Sequence, residues 1–267
     1  LYAEWVELDT GAALQPDISL ILPAYNESKT IANTMREAHR YFQSRDLSSQ
    51  IIVSADGDDG TREKSRELAA EIPGLIVLGS PRRSGKGRGI RLGVEKATGV
   101  IIGFADADNK VPIDEFDKVL PLLRGDADLV IGTRARGKST IEKPQPLYRQ
   151  LGGRAFYFVM QAFVGLPGVS DTQCGFKFFQ HDLAKAIFAI QEIDGYMYDV
   201  EILALALRMG AKMEQVPIRW RDDADSRLEL VAGNIQNMKD ILRIRRRLAG
   251  IRLEEYAVVR HAAGNSK

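Results

Sequence analysis

One alternation constrains the fold of this chain more than any other feature. Short apolar runs at residues 18–22, 51–53, 75–78, 100–105 and 129–131 are separated by longer stretches, 28–42, 61–70, 87–96 and 113–123, in which apolar residues recur at helical spacing. The runs are too short for buried helices, and they match strands covered on both faces. Such strands need helices on both sides. The pattern therefore predicts an α/β fold with a mostly parallel sheet flanked by helices. Beyond about residue 150 the pattern becomes mixed. The main unit is expected over 17–230 as a single domain, after an extension at 1–16 and before a basic amphipathic helix and tail at 231–267.

In such folds ligands sit beyond the carboxyl ends of the strands, and this rule sorts the acidic triplets. The chain holds four: Asp56-Gly57-Asp58, Asp106-Ala107-Asp108, Asp126-Ala127-Asp128 and Asp223-Ala224-Asp225. Asp126 and Asp128 precede the run "LVIG", at the wrong end of the sheet, and read as a solvated turn. Asp106 and Asp108 end the run "IIGFA". Two carboxylates one residue apart aim the same way in an extended chain and repel, so a divalent cation is expected between them. Asp56 and Asp58 also follow a strand. Asp223 and Asp225 follow "VPIRW" and are open to joining the site from the second half.

Two further strand ends stand out. The first run leads into "PAYNES", where Pro23 stops pairing, Ser28 is placed to cap a helix, and Tyr25, Asn26 and Glu27 are left at the strand end. The third leads into "SPRRSGKGRG". Position 80 is Ser and position 87 is Gly, so the spacing of a nucleotide-triphosphatase phosphate loop fails. Glycines and the cations Lys86 and Arg88 just before a helix still suit a phosphate, with a solvated basic turn as the alternative.

Composition excludes some partners. Lys and Arg total 37 against 36 Asp and Glu, a net charge of +1, which gives no footing for bulk nucleic-acid binding. The single Cys174 cannot form an internal disulfide and fits a reducing compartment. No secretory leader is visible at the start. The longest uncharged run, 155–170, falls short of the ~18–20 apolar residues of a membrane span and contains Gln161 and Pro167. It is expected as a mostly buried helix with aromatic character suited to lipid. Near the carboxyl end, Ile235, Met238, Ile241, Leu242 and Leu248 recur at roughly helical spacing beside Arg243, Arg245, Arg246 and Arg247. This is either a helix lying on an anionic membrane surface or one packed on the domain with a solvated charged face. The expected location is cytoplasmic, with peripheral membrane contact.

Taken in order, "PAYNES", "GKGRGIRLGVEKATG", "FADAD", "VIGTRA" and "DTQCGFKFF" resemble glycosyltransferase family 2 enzymes of the GT-A fold, and within them dolichyl-phosphate glucosyltransferases and other polyprenol-phosphate glycosyltransferases. The likeness covers roughly residues 17–247. It implies a metal-dependent inverting enzyme that moves glucose or mannose from UDP-glucose or GDP-mannose to a polyprenyl phosphate. It implies that Pro23, Ala24, Tyr25 and Glu27 line the nucleotide pocket, and that Asp106 and Asp108 hold Mg²⁺ or Mn²⁺ against the diphosphate. Arg134, Arg149 and Arg227 are implied to meet phosphate groups, where planar guanidiniums donate paired hydrogen bonds.

Three departures from the family pattern stand out. Ser54 and Ala55 stand where two acids are usual, so Asp56 is the candidate substitute for reading the base. Lys110 stands where some lipid-phosphate mannosyltransferases have Gln, and Gly153 where Ser is usual. Two other readings stay open. A soluble transferase with a hydroxyl acceptor needs a general base, for which Asp199 and Glu201 in "YMYDVEILAL" are the candidates, with favourable charge at a helix start as their structural alternative. The third reading is a non-catalytic relative that binds nucleotide sugar.

Overall fold

The computed structural model describes residues 15–134, 164–221 and 233–250. Arg149, Gly153, Asp223, Asp225, Arg227 and most of the run 155–170 lie outside the described residues.

Seven strands form one sheet: β1 (Ile18–Tyr25), β2 (Ser49–Asp56), β3 (Ile76–Leu78), β4 (Ile101–Ala105), β5 (Leu129–Thr133), β6 (Phe176–Gln180) and β7 (Met213–Pro217). Their order is β3-β2-β1-β4-β6-β5-β7. All the five strands expected from the apolar runs are present. β1 pairs in parallel with β2 and β4, β2 with β3, and β5 with β7, while β6 runs antiparallel between β4 and β5. The mostly parallel sheet is thus mixed at one place. β6 falls on the motif "GFKFF", outside the apolar runs that marked the expected strands. β7 takes in the first two residues of "VPIRW" and ends at Pro217, with the Ile218 amide still bonded to Thr133 O at 3.2 Å.

Helices cover both faces: α1 (Ile31–Ser44), α2 (Thr61–Glu67), α3 (Lys86–Lys96), α4 (Leu120–Arg124), α5 (His181–Ile190), α6 (Tyr198–Arg208) and α7 (Gly233–Gly250). Side chains alternate along the strands, so one core gathers Leu20, Leu22, Val53, Phe176 and Phe178 with Met35 and Phe42 of α1. The other gathers Ile21, Ile52, Phe104 and Phe179 with Ile90 of α3 and Ile202 of α6.

Two local expectations are corrected, and a third, left open, is decided. Ser28 does not cap α1. Its amide is taken by Asp59 Oδ2 at 2.9 Å, and the helix begins after Thr30, where the amides of Thr30 and Ile31 both bond Glu27 O at 3.0 Å. Residues 113–123 do not form one helix but a 3₁₀ turn, Ile113–Lys118, followed by α4, because Pro121 can only sit in a helix's first turn. The carboxyl-terminal helix α7 turns Ile241, Ile244 and Leu248 into the second core, leaving Met238 and Leu242 exposed. Its apolar face therefore packs on the domain. Arg247 pairs with the buried Glu201 and donates to Ile190 O at 2.7 Å.

Candidate active site

The chain moves outward from β1 through β2 to β3, then returns to place β4 on β1's other side. The sheet's switch point therefore lies at the carboxyl ends of β1 and β4, where a crevice opens between diverging connections. Tyr25 ends β1, and Asp106 follows β4.

Asp106, Ala107 and Asp108 do not continue the extended strand. They form a turn in which Asn109, at a φ of 56°, donates its amide to Asp106 O at 3.2 Å. Ala107 is buried in the first core, and its carbonyl accepts from Thr34 Oγ1 at 2.9 Å. The two acids remain close enough to repel. Burial raises the Asp108 carboxyl above its ordinary range, the Asp106 charge adds to that, and Lys110 opposes it. Each acid has its own lysine. Lys86, from the first turn of α3, pairs with Asp106, and Lys110 Nζ lies 3.2 Å from Asp108 Oδ2. Burial works against the Lys86 ammonium, but the charges of Asp106 and Asp199 outweigh it and hold its pKa above the usual lysine range.

The antiparallel strand positions Asp106 from the other side. Just before β6, Gly175 O accepts the Asp106 amide at 3.1 Å. A Cβ on Gly175 would lie 2.2 Å from Asp106 Oδ2, so only glycine leaves that carboxylate its place. Upstream in the same motif, Asp171 holds Arg134 with two parallel bonds, Nε to Oδ2 at 2.8 Å and Nη2 to Oδ1 at 2.9 Å. The Arg134 guanidinium also lies 4.8 Å from the centre of the Trp220 ring, and Lys110 Nζ lies 6.0 Å from the same ring. Asp171, Gly175 and Trp220 were not singled out from the sequence as site residues. For Gly175 the signal was present only as a glycine inside an ordered motif.

Asp199 and Glu201 both belong to the first turn of α6, but neither is a helix-end charge facing solvent nor a base facing the crevice. Asp199 is 3% exposed and pairs with Lys177 of β6, which is fully buried and donates to Cys174 O at 2.7 Å. Glu201 is 1% exposed and accepts the amide of Ile193 at 2.8 Å, besides pairing with Arg247. A lysine in the middle of "GFKFF", at the inward-facing parity of its strand, is the sequence sign of such a buried pair.

The donor-side residues fall into two groups. Tyr25 is exposed, with the Arg83 guanidinium 4.6 Å from its ring centre. Pro23 does not stop the pairing expected to end there: β1 stays in register with β2 through Pro23 and Ala24, opposite Ser54 and Ala55, as far as Tyr25 opposite Asp56. Glu27 lies in the turn before α1, its amide bonded to Thr61 Oγ1 at 2.9 Å. Asp56 is occupied otherwise: its carboxylate accepts Ser84 Oγ at 2.6 Å, Ser84 N at 2.7 Å and Ser80 N at 3.3 Å. It anchors the loop between β3 and α3. Ser54 and Ala55 are both buried, so a charged pair at those positions would face the interior. The glycines of that loop serve packing. The Gly87 amide bonds Asp194 O at 2.9 Å, and a Cβ there would lie 2.3 Å from Ile193 O. Arg88 is half-buried on the same turn. Asp126 and Asp128 are engaged at the opposite end of the sheet, Asp126 with the Lys212 ammonium and Asp128 with the Lys212 amide at 2.7 Å.

Among the described residues no group of three or more His, Cys, Asp or Glu side chains is gathered as for a closed metal site. The acid pair nonetheless fits a hard divalent ion such as Mg²⁺ or Mn²⁺. Such an ion takes carboxylate oxygens, relieves the repulsion that raises Asp108, and keeps its remaining positions for water and phosphate oxygens. Among the described residues no helix is long and apolar enough to cross a membrane.

Residues 19–188 match the profile of glycosyl transferase family 2. A dolichyl-phosphate beta-glucosyltransferase of Trichomonas vaginalis is 30% identical over 238 residues, covering 85% of this chain and 72% of that protein. The human dolichyl-phosphate beta-glucosyltransferase is 28% identical over 250 residues, covering 86% and 75%. Among solved structures, glucosyl-3-phosphoglycerate synthase from Mycobacterium tuberculosis, in complex with Mn²⁺, UDP and phosphoglyceric acid, superposes with a TM-score of 0.64. It covers 86% of this chain and 78% of that one at 24% identity, a likeness of fold.

Proposed function

The chain belongs to glycosyltransferase family 2, has the GT-A fold and is a glycosyltransferase, and on that premise we propose that it transfers glucose or mannose from UDP-glucose or GDP-mannose to a polyprenyl phosphate with inversion. The observation that carries this reading is the acid pair at the switch point with cations around it, while among the described residues Asp199 and Glu201 are engaged in buried ion pairs. The names of the relatives, which are dolichyl-phosphate glucosyltransferases, favour glucose and a lipid phosphate. The Mn²⁺ and UDP of the M. tuberculosis enzyme favour a metal–diphosphate complex.

A divalent ion on Asp106 and Asp108 would supply Lewis-acid stabilisation of the leaving diphosphate. The other roles belong to side chains. Lys86 stands beside Asp106, where an ammonium can follow charge onto the diphosphate. Arg134, clamped by Asp171 through Nε and Nη2, retains Nη1 for a phosphate oxygen. An acceptor phosphate is anionic near neutral pH and attacks the anomeric carbon without losing a proton. The burial of Asp199 and Glu201 in ion pairs is then no handicap, whereas a hydroxyl acceptor would require one of them as base. Arg149 and Arg227 remain the proposed further phosphate ligands.

Peripheral membrane contact is proposed for the outward side of α7. Met238 and Leu242 are exposed one turn apart, with Lys239, Arg245 and Arg246 exposed beside them. The test is transfer of radiolabelled sugar from UDP-glucose or GDP-mannose, with Mn²⁺, to a short polyprenyl phosphate or to simple sugars. Product on the lipid phosphate alone is expected. Product on sugars alone, with rate lost in Asp199→Asn, rejects the reading.

A further inference from the structure

The acid pair is compensated from two directions. Lys86 reaches Asp106 from α3, whose first turn is pinned by the bond from Gly87 N to Asp194 O. Lys110 reaches Asp108 from the turn that the pair itself begins: its amide donates to Asp108 Oδ1 at 3.2 Å and its ammonium lies 3.2 Å from Oδ2. These are not loose surface lysines. Their side chains are 30% and 15% exposed, and the Lys110 ammonium lies against the Trp220 ring. We infer that Lys86 and Lys110 are resident counter-cations of the acid pair, so that a divalent ion binds poorly on its own and well only together with a nucleoside diphosphate. This rests on the reading that Asp106 and Asp108 hold the metal.

The reason is charge balance in a partly dehydrated crevice. Two carboxylates beside two ammoniums are already neutral, so an added divalent ion leaves the site strongly positive and competes with Lys86 for Asp106 and with Lys110 for Asp108. A nucleoside diphosphate arriving with the ion restores the balance and offers the displaced ammoniums new acceptors. Lys110 stands where some lipid-phosphate mannosyltransferases are expected to carry an uncharged Gln, which would leave Asp108 without this counter-charge. Metal occupancy would thus report donor occupancy, and the empty enzyme would not sequester free metal.

The experiment follows free Mn²⁺ by electron paramagnetic resonance during titration of the full chain, alone and with UDP or GDP. Wild type is expected to bind Mn²⁺ at least about tenfold more tightly with one of the nucleotides than without. Lys86→Met and Lys110→Gln should each tighten binding of Mn²⁺ alone by about five- to tenfold, while Lys86→Arg should not. Circular dichroism and melting establish that each variant is folded. Lys110→Gln, which keeps a polar side chain in the turn after β4, carries the test if Lys86→Met does not fold. Lysine variants that take up Mn²⁺ alone no better than wild type, while wild type with nucleotide binds it normally, overturn the inference and spare the metal reading. No Mn²⁺ uptake in any arm removes the metal reading and the inference with it.

Discussion

Replacing Gly175 with Ala perturbs the acid pair without touching an ionisable group. The added Cβ would stand 2.2 Å from Asp106 Oδ2 and 2.3 Å from both Cγ and Oδ1. A carbon–oxygen contact needs roughly 3.3 Å, so the carboxylate or the chain beneath it must retreat by about 1 Å. The backbone has little freedom to yield, because Gly175 O holds the Asp106 amide and β6 continues directly from it between β4 and β5. Overpacking of this kind destabilises by about 1–3 kcal/mol. At about 2–4 °C per kcal/mol for a chain of this size, melting should fall by roughly 2–12 °C. The effect on function should be larger than that on stability. A misplacement of about 1 Å in a positioned group is associated with losses near 10²-fold, or about 2.7 kcal/mol. Calorimetric titration with nucleoside diphosphate and Mn²⁺, run well below the melting point, reads the first quantity, and kcat/KM reads the second. Gly175→Ala with wild-type metal-dependent affinity and wild-type melting would refute the claim that this glycine sets the carboxylate's position.

Asp108→Ala should weaken metal-dependent nucleotide binding by about 10²-fold or more by calorimetry, whereas Asp128→Ala should leave it unchanged, since Asp128 serves the start of β7 at the far end of the sheet. Asp199→Asn should destabilise by about 3–5 kcal/mol in denaturant titrations, because it strands the Lys177 ammonium in the core. The folded fraction should keep an unchanged pH–rate profile, and loss of the acidic limb from that profile would restore Asp199 as a base. Asp59 offers a test in acid. Burial opposes its charge, but hydrogen bonds from Thr61 and Ser28 prevail and bring its pKa to about 2. A folded pKa below the unfolded one gives stability that is present above the unfolded value near 3.8 and lost as pH falls towards 2. Asp59→Asn should therefore flatten the fall of melting temperature over that window, and an identical acid limb would exclude the contribution. On α7, Met238→Glu with Leu242→Glu should abolish co-sedimentation with anionic vesicles without altering melting by more than a few degrees, because neither side chain is in the core.

The parallel half of the fold was legible in the sequence because its information is local. A run such as "IIGFA" between amphipathic stretches has few ways to be satisfied other than as a strand covered on both faces. The carboxyl-end rule then separated Asp106 and Asp108 from Asp126 and Asp128 without coordinates. The chain order of "PAYNES", "FADAD" and "DTQCGFKFF" likewise identified the family. What tertiary structure alone decided is which charge meets which. Asp199 looked like an available base because its sequence neighbours are a helix start, and nothing local announces that Lys177, 22 residues upstream on an antiparallel strand, ends beside it in the core. Asp56, the candidate base reader, also holds the loop at Ser80–Ser84 through its amides and hydroxyl, a contact that no local pattern announces. Gly175 looked like any motif glycine, and its importance exists only because β6 is inserted beside β4, bringing its backbone against Asp106. Propensity and periodicity act over a few residues, whereas ion pairs and close approaches in a partly buried site depend on strand order, which pairs residues far apart in the chain.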